Sequence, residues 1–224
     1  MIVTIDGPAG SGKSTTAREV ARRLGFRHLD SGAFYRALTY AALCAGIPEA
    51  EWDALDDARL DDLGVHAQPA GDGWALFAGE EDITGRLRSP EVNAHVSPMA
   101  RVPAVRQWLH DRLRAAATAS DLVADGRDMG SVVFPEAQLK VYLVADPRER
   151  ARRRLLEQGK AGPTAADLDA EAARLLERDR IDSQRAVAPL IQPADAILLD
   201  TTSLSFDQQV EAVVRMARER TSED

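Results

Sequence analysis

The chain has 224 residues, 45% of them hydrophobic and 29% charged, with a formal net charge of −8 at pH 7. This length suits one core domain with insertions or a small added lobe, and it is enough to bury a proper core. The acidic balance argues against nucleic acid as the main partner, so any phosphate chemistry needs its positive charge gathered locally.

Ile2–Asp6 reads as a buried strand. It runs into Gly7-Pro8-Ala9-Gly10-Ser11-Gly12-Lys13-Ser14, which matches G-x-x-x-x-G-K-[ST]. Gly7, Gly10 and Gly12 permit backbone angles that let successive N–H groups point at phosphate oxygens. The helix behind the loop presents its positive dipole end to the same anion. Lys13 is placed to bridge terminal phosphates, and the Ser14 hydroxyl to meet Mg²⁺. Thr15 follows directly and completes the candidate ATP site. The bland alternative is a glycine-rich turn without a ligand. Lysine occurs only at positions 13, 140 and 160, against many arginines.

Ser14–Leu24 reads as a helix stopped at Gly25. Arg27–Leu29 is a short strand, and Ser31–Ala45 a helix that ends before Gly46 and Pro48. The one cysteine, Cys44, cannot form an internal disulfide and is expected as a small buried apolar residue. Glu51–Leu63 is acidic and reads as helical. Gly64–Thr84 reads as a small antiparallel insert around the Gly71-Asp72-Gly73 turn.

Ser89–Met99 and Val102–Ala119 follow as helices, and Leu122–Asp125 and Leu139–Val144 as strands. Next come an Arg-rich helix at Arg148–Gln158, the flexible Gly159–Gly162, and a helix at Asp167–Ile181. Ala196–Asp200 is the last strand. The final helix opens on a capping box, Ser205-x-x-Gln208, with Phe206, Val210, Val213, Val214 and Ala217 on one apolar face. Strands alternating with helices imply an α/β fold with a parallel sheet covered on both sides. The chain enters its first strand at once, which leaves no room for a signal peptide, and no apolar run reaches membrane-spanning length. A cytoplasmic location is the expectation.

The phosphate loop alone leaves several classes open. The only asparagine, Asn93, does not sit in an Asn-Lys-x-Asp guanine reader, and Leu-Ser-Gly-Gly-Gln is absent. That disfavours a GTPase and a transport ATPase and points to a second substrate that accepts the phosphoryl group. Ligands of open α/β sheets bind beyond the carboxyl ends of the strands. Two charged clusters stand there, Asp30–Arg36 and Asp125–Gly130. Taken singly, each also reads as a helix cap or a turn.

Five stretches taken together resemble the bacterial cytidylate kinases. They are Ile5–Ser14, Leu29-Asp-Ser-Gly-Ala-Phe-Tyr-Arg36, Ala124-Asp-Gly-Arg-Asp-Met-Gly130, Val132-Val-Phe-Pro135 and Arg185-Ala-Val-Ala-Pro-Leu190. The resemblance covers most of the chain. It implies a three-layer P-loop kinase fold, with a core at about 1–30, 120–147 and 180–224. It further implies a monophosphate-binding region at about 31–119, holding the small β insert of about 64–84, and an Arg-rich lid at about 148–165. The implied reaction transfers the γ-phosphoryl group of ATP, with Mg²⁺, to CMP or dCMP in a monomer.

The resemblance also carries residue roles. Arg36, Arg127 and Arg185 resemble the arginines that hold the CMP phosphate, with Ser31 as a hydroxyl donor and Tyr35 packed near the ribose. Ser97, Arg106 and Asp128 resemble cytosine readers, and Arg178 and Asp182 sugar-hydroxyl contacts. Arg178 and Asp182 are spaced i,i+4 and also fit a plain helix ion pair. Among the lid arginines, Arg150 and Arg154 are the first expected to meet ATP, and a solvated charged face is the alternative.

Overall fold

The computed structural model describes residues 1–117 and 120–221. Five parallel strands form the central sheet: β1 (Ile2–Asp6), β2 (Arg27–Asp30), β6 (Leu122–Gly126), β7 (Leu139–Val144) and β8 (Ile197–Asp200). Their order is β2-β6-β1-β7-β8. Alternation along each strand sends side chains to both faces. Val3, Ile5 and Val123 pack against α1 (Lys13–Leu24) and α8 (Phe206–Thr221) through Val20, Val210 and Val213. Leu122 and Ala124 pack on the other side against α2 (Ser31–Cys44) and α5 (Pro103–Ala117) through Leu38 and Leu109. The expected end of α5 at 118–119 lies outside the described residues.

The register pairs Asp30 with Asp125 and Asp6 with Gly126. The carboxyl ends of β1, β2 and β6 therefore share one rim. Gly7 leaves this rim at φ 147°, and a Cβ there would stand 2.1 Å from the Leu143 carbonyl oxygen. Only glycine lets the loop pass so close to β7. Helices α6 (Pro147–Glu157) and α7 (Ala165–Ser183) pack on each other, with Ala9 of the loop held among Ala151, Ala172 and Leu175.

The small sheet forms as expected, from β3 (Val65–Ala70), β4 (Gly73–Ala78) and β5 (Glu81–Asp82). Its Gly71–Gly73 tip docks on β2, where the His28 N–H donates to the Asp72 carbonyl at 2.7 Å. Helix α4 (Pro90–Met99) starts at Ser89, whose hydroxyl accepts from the Val92 N–H. The capping box of α8 forms in both directions, Ser205 N–H to Gln208 Oε1 at 3.0 Å and Gln208 N–H to Ser205 Oγ at 3.2 Å.

Three local expectations change. The acidic stretch is a 3-10 turn at Glu49–Ala54 and a separate α3 at Asp57–Asp62. Leu55 is extended between them, and Asp56 caps the new helix by accepting from the Arg59 N–H at 2.9 Å. Cys44 is exposed rather than buried, because α2 turns Leu38, Ala41 and Ala42 inward and ends with Cys44 on its outer side. Phe206 is 49% exposed, since only the later turns of α8 reach the sheet.

One element was not anticipated at all, a π turn at Met129–Val133 after β6. Asp6 nucleates it by accepting the N–H groups of Met129 at 2.9 Å and Gly130 at 2.7 Å. Burial pushes the Asp6 carboxyl up to about 7 against the pull of those two donors. The unfolded chain then binds fewer protons than the native one between about pH 4 and pH 7, so stability falls as pH rises through that window and levels off above it. Asp6→Asn should flatten this dependence, read as the urea midpoint against pH.

Candidate active site

The rim opens into a cavity of about 280 Å³ walled by the phosphate loop, α2, α4, α5, the β6 end, α6 and α7. Eight arginines and Lys13 face it, against four aspartates and one glutamate. The chain is acidic, yet its cavity is strongly cationic.

At one end, Lys13 is buried and donates to the Pro8 carbonyl at 2.7 Å. Burial, then the nearby Arg127 guanidinium, holds its ammonium well below the usual lysine range. Ser14 Oγ donates to Asp125 Oδ2 at 2.5 Å, and His28 Nε2 lies 2.7 Å from Asp125 Oδ1. Burial opposes ionisation of Asp125, but His28 and Ser14 outweigh it and keep the carboxyl below its usual value. Two hard oxygen donors beside a phosphate loop are the donor set that suits Mg²⁺, which takes one or two protein oxygens and the rest from phosphate and water.

The middle of the cavity is arginine. Arg127 Nε donates to Asp182 Oδ2 at 2.9 Å, and Arg185 pairs with the other Asp182 oxygen. The simple helix pair between Arg178 and Asp182 therefore does not form. Burial, with Arg127, Arg36 and Arg154 close by, pulls Arg178 down to about 9. Arg36 and Arg154 are likewise lowered, first by burial and then by neighbouring guanidinium groups. Such a crowd of desolvated cations is stabilised by an anion placed among them.

At the far end, Arg106 is fully buried, lies over the Tyr35 ring at 5.3 Å and pairs with Asp128 Oδ2. His110 Nε2 is 3.0 Å from the same oxygen. Burial would raise Asp128, but His110 and Arg106 hold it below the usual carboxylate range. Ser31 Oγ donates to the Asp125 carbonyl at 2.8 Å, an approach that Gly126 permits, because a Cβ there would meet Ser31 Oγ at 2.5 Å.

All ten residues expected around CMP line this one cavity: Ser31, Tyr35, Arg36, Ser97, Arg106, Arg127, Asp128, Arg178, Asp182 and Arg185. From the phosphate loop, Ala9, Gly10, Gly12, Lys13, Ser14 and Thr15 reach it, while Gly7, Pro8 and Ser11 lie behind. The two lid arginines separate. Arg154 faces the cavity, whereas Arg150 is neutralised by Asp179 at 2.5 Å and donates to the Ala9 carbonyl at 2.9 Å, bracing the loop from outside. Arg148 and Arg152 pair with Asp169 and Glu149 and follow the charged-face alternative.

The sequence reading passed over His28, Asp125 as a partner of Ser14, Asp179 and His110. Only Asp125 carried a signal, as the acidic end of an apolar strand. Residues 3–219 match the family model described as cytidylate kinase. The chain belongs to the cytidylate kinase family.

The kinase is 48% identical over 216 residues to the cytidylate kinase of Pseudomonas aeruginosa (strain LESB58), covering 96% of this chain and 93% of that one. It is also 46% identical over its full length to the bifunctional pantoate ligase/cytidylate kinase of Synechococcus sp. (strain CC9902), of which it spans 46%. A solved, uncharacterized protein from Eubacterium ventriosum ATCC 27560 shares the fold with a TM-score of 0.50 at 9% identity, covering 96% of this chain and 97% of that one.

Among the described residues, Asp182 is the one carboxylate that two cavity arginines share, and it is 1% exposed. Removing it in Asp182→Ala leaves the half-buried Arg127 and the buried guanidinium of Arg185 without their counter-charge, at an expected cost of about 3 kcal/mol in urea unfolding.

Proposed function

We propose that this kinase transfers the γ-phosphoryl group of ATP to CMP and dCMP, each substrate taking one end of the cavity. The observation that carries the reading is the cavity itself, in which a phosphate loop and a buried Arg–Asp pair face each other across a cluster of arginines. ATP lies along the N–H groups of the loop, with Lys13 on its terminal phosphates. CMP sits with its phosphate among Arg36, Arg127 and Arg185, near Ser31. Asp128 accepts from the cytosine amine, and Arg106 donates to the ring carbonyl and nitrogen, with Ser97 beside them. Tyr35 flanks the ribose. Arg178 and the remaining lone pairs of Asp182 reach the sugar hydroxyls.

Ser14 and Asp125 are the residues that would hold Mg²⁺, which would offset the charge of the phosphates there. Lys13 and the arginines hold both phosphates in line and neutralise the transferring group, so catalysis is positioning and electrostatics. The acceptor is already an anion and needs no general base. Arg154 closes from α6 with the lid of about 148–165 and excludes water that would otherwise hydrolyse ATP. The core at about 1–30, 120–147 and 180–224, the monophosphate region at about 31–119, a monomeric working unit and a cytoplasmic location belong to the same reading. Among the described residues, no helix is long and apolar enough to cross a membrane.

ADP release with a panel of CMP, dCMP, UMP, AMP, GMP, dTMP and shikimate tests the acceptor, and CMP and dCMP should lead it. Equal rates for all, or none above the ATP-only background, would sink the proposal. Lys13→Ala should lower kcat by about a hundredfold or more, the range for removing a donor to developing charge. Arg36→Ala should raise the CMP KM about tenfold, as loss of a charge-assisted contact does. Asp128→Ala should cut the preference for CMP over UMP by at least about tenfold, because a reader carboxylate discriminates by what it would leave unpaired.

A further inference from the structure

His28 is a buried titratable side chain beside the cavity that the proposed chemistry leaves without work. It stands in β2, 6% exposed, behind the wall that the substrates would touch. In the β2–β6 register His28 faces Val123 and Asp30 faces Asp125, so His28 and Asp125 are diagonal neighbours on one face of the sheet. The imidazole spans that diagonal and brings Nε2 to 2.7 Å from Asp125 Oδ1, while Asp125 Oδ2 accepts the Ser14 hydroxyl at 2.5 Å.

The carboxylate torsion of an aspartate is broad and roughly two-fold, so Asp125 alone does not fix which lone pairs face Ser14. A donor on Oδ1 from behind stops that rotation and leaves Oδ2 turned toward the serine. The backbone that carries the ring is itself anchored, since the main-chain N–H of His28 donates to the Asp72 carbonyl at the tip of the small sheet. The hairpin tip thus fixes the His28 main chain, and the His28 side chain in turn meets Asp125, which meets Ser14.

We propose that His28 is a positioning residue, which sets the Asp125 carboxylate so that it and Ser14 present a ready-made pair of oxygens to the metal ion of the nucleotide complex. This rests on the reading of Ser14 and Asp125 as the metal-holding pair. Outer partners of metal-holding groups orient them and commonly govern affinity by about ten- to a hundredfold. A His28 that only filled space would act through volume, and one that positions Asp125 acts through a donor at the right reach.

Mn²⁺ is the probe, with free Mn²⁺ followed by electron paramagnetic resonance in the full chain saturated with ADP. His28→Leu and His28→Asn, whose side chains give Asp125 no donor at that distance, should weaken Mn²⁺ binding about tenfold. His28→Gln, whose amide nitrogen reaches the Nε2 position, should restore most of it. The CMP KM, and the ADP affinity measured in EDTA, should stay the same in all three. Should the leucine variant fail to fold by circular dichroism, the contrast between asparagine and glutamine decides alone. Unchanged Mn²⁺ affinity in the leucine and asparagine variants, or equal losses with asparagine and glutamine, overturns the role of His28. Asp125→Ala separates the two levels. If it too binds Mn²⁺ normally, the metal-holding reading fails and takes the inference with it. If it alone loses affinity, only the inference on His28 fails.

Discussion

The structure is organised around one electrostatic constraint: positive charge is crowded into a partly buried cavity, where water relaxes it poorly. Lys13, Arg36, Arg154, Arg178 and Arg185 are all held below their ordinary pKa by burial, then by neighbouring cations. A fold tolerates such a crowd only if counter-charge is distributed with care. Asp182 takes Arg127 and Arg185, Asp179 takes Arg150, and Asp128 takes Arg106. What these carboxylates leave unmatched is the field that an incoming phosphate would meet, stronger than it would be in water because the site is already desolvated. The excess of acid elsewhere in the chain keeps that field local.

The sheet decides where this charge can gather. With β1 between β6 and β7, and β6 next to β2, the loops after β1, β2 and β6 open onto one rim. Each strand delivers an aspartate there, and each aspartate does something different. Asp6 turns inward and holds the π turn that sets the position of Asp128. Asp30 caps α2 through the Ala33 N–H, which puts Ser31 and Arg36 on the cavity wall. Asp125 faces Ser14. The same residue type braces, caps or pairs with a loop hydroxyl according to what the neighbouring elements bring to it.

Much of the fold was legible because its signals are local. Strand alternation, the glycine stop of α1, the hairpin at Gly71–Gly73 and the capping box at Ser205 each depend on a few consecutive residues. The misread places are those where distant contacts overrule a local pattern. Cys44 looks buried until α2 is rotated by its packing, and the π turn is invisible without an Asp6 carboxylate 123 residues away. The cavity residues were legible through family motifs. The partition among them was not, since Arg150 and Arg154 share a helical spacing but meet different neighbours.

The sequence by itself determined a phosphate loop between strand and helix, an alternating α/β order and the residue types of a two-ended site. Those follow from backbone conformation and chemistry carried within short segments. Only the tertiary structure decided which charges pair. Asp182 went to Arg127 and Arg185 rather than to Arg178 four residues before it, Arg150 went to the outside of the loop, and His28 came to rest behind Asp125. Pairing energy depends on distance and burial, and both are set by which strands become neighbours.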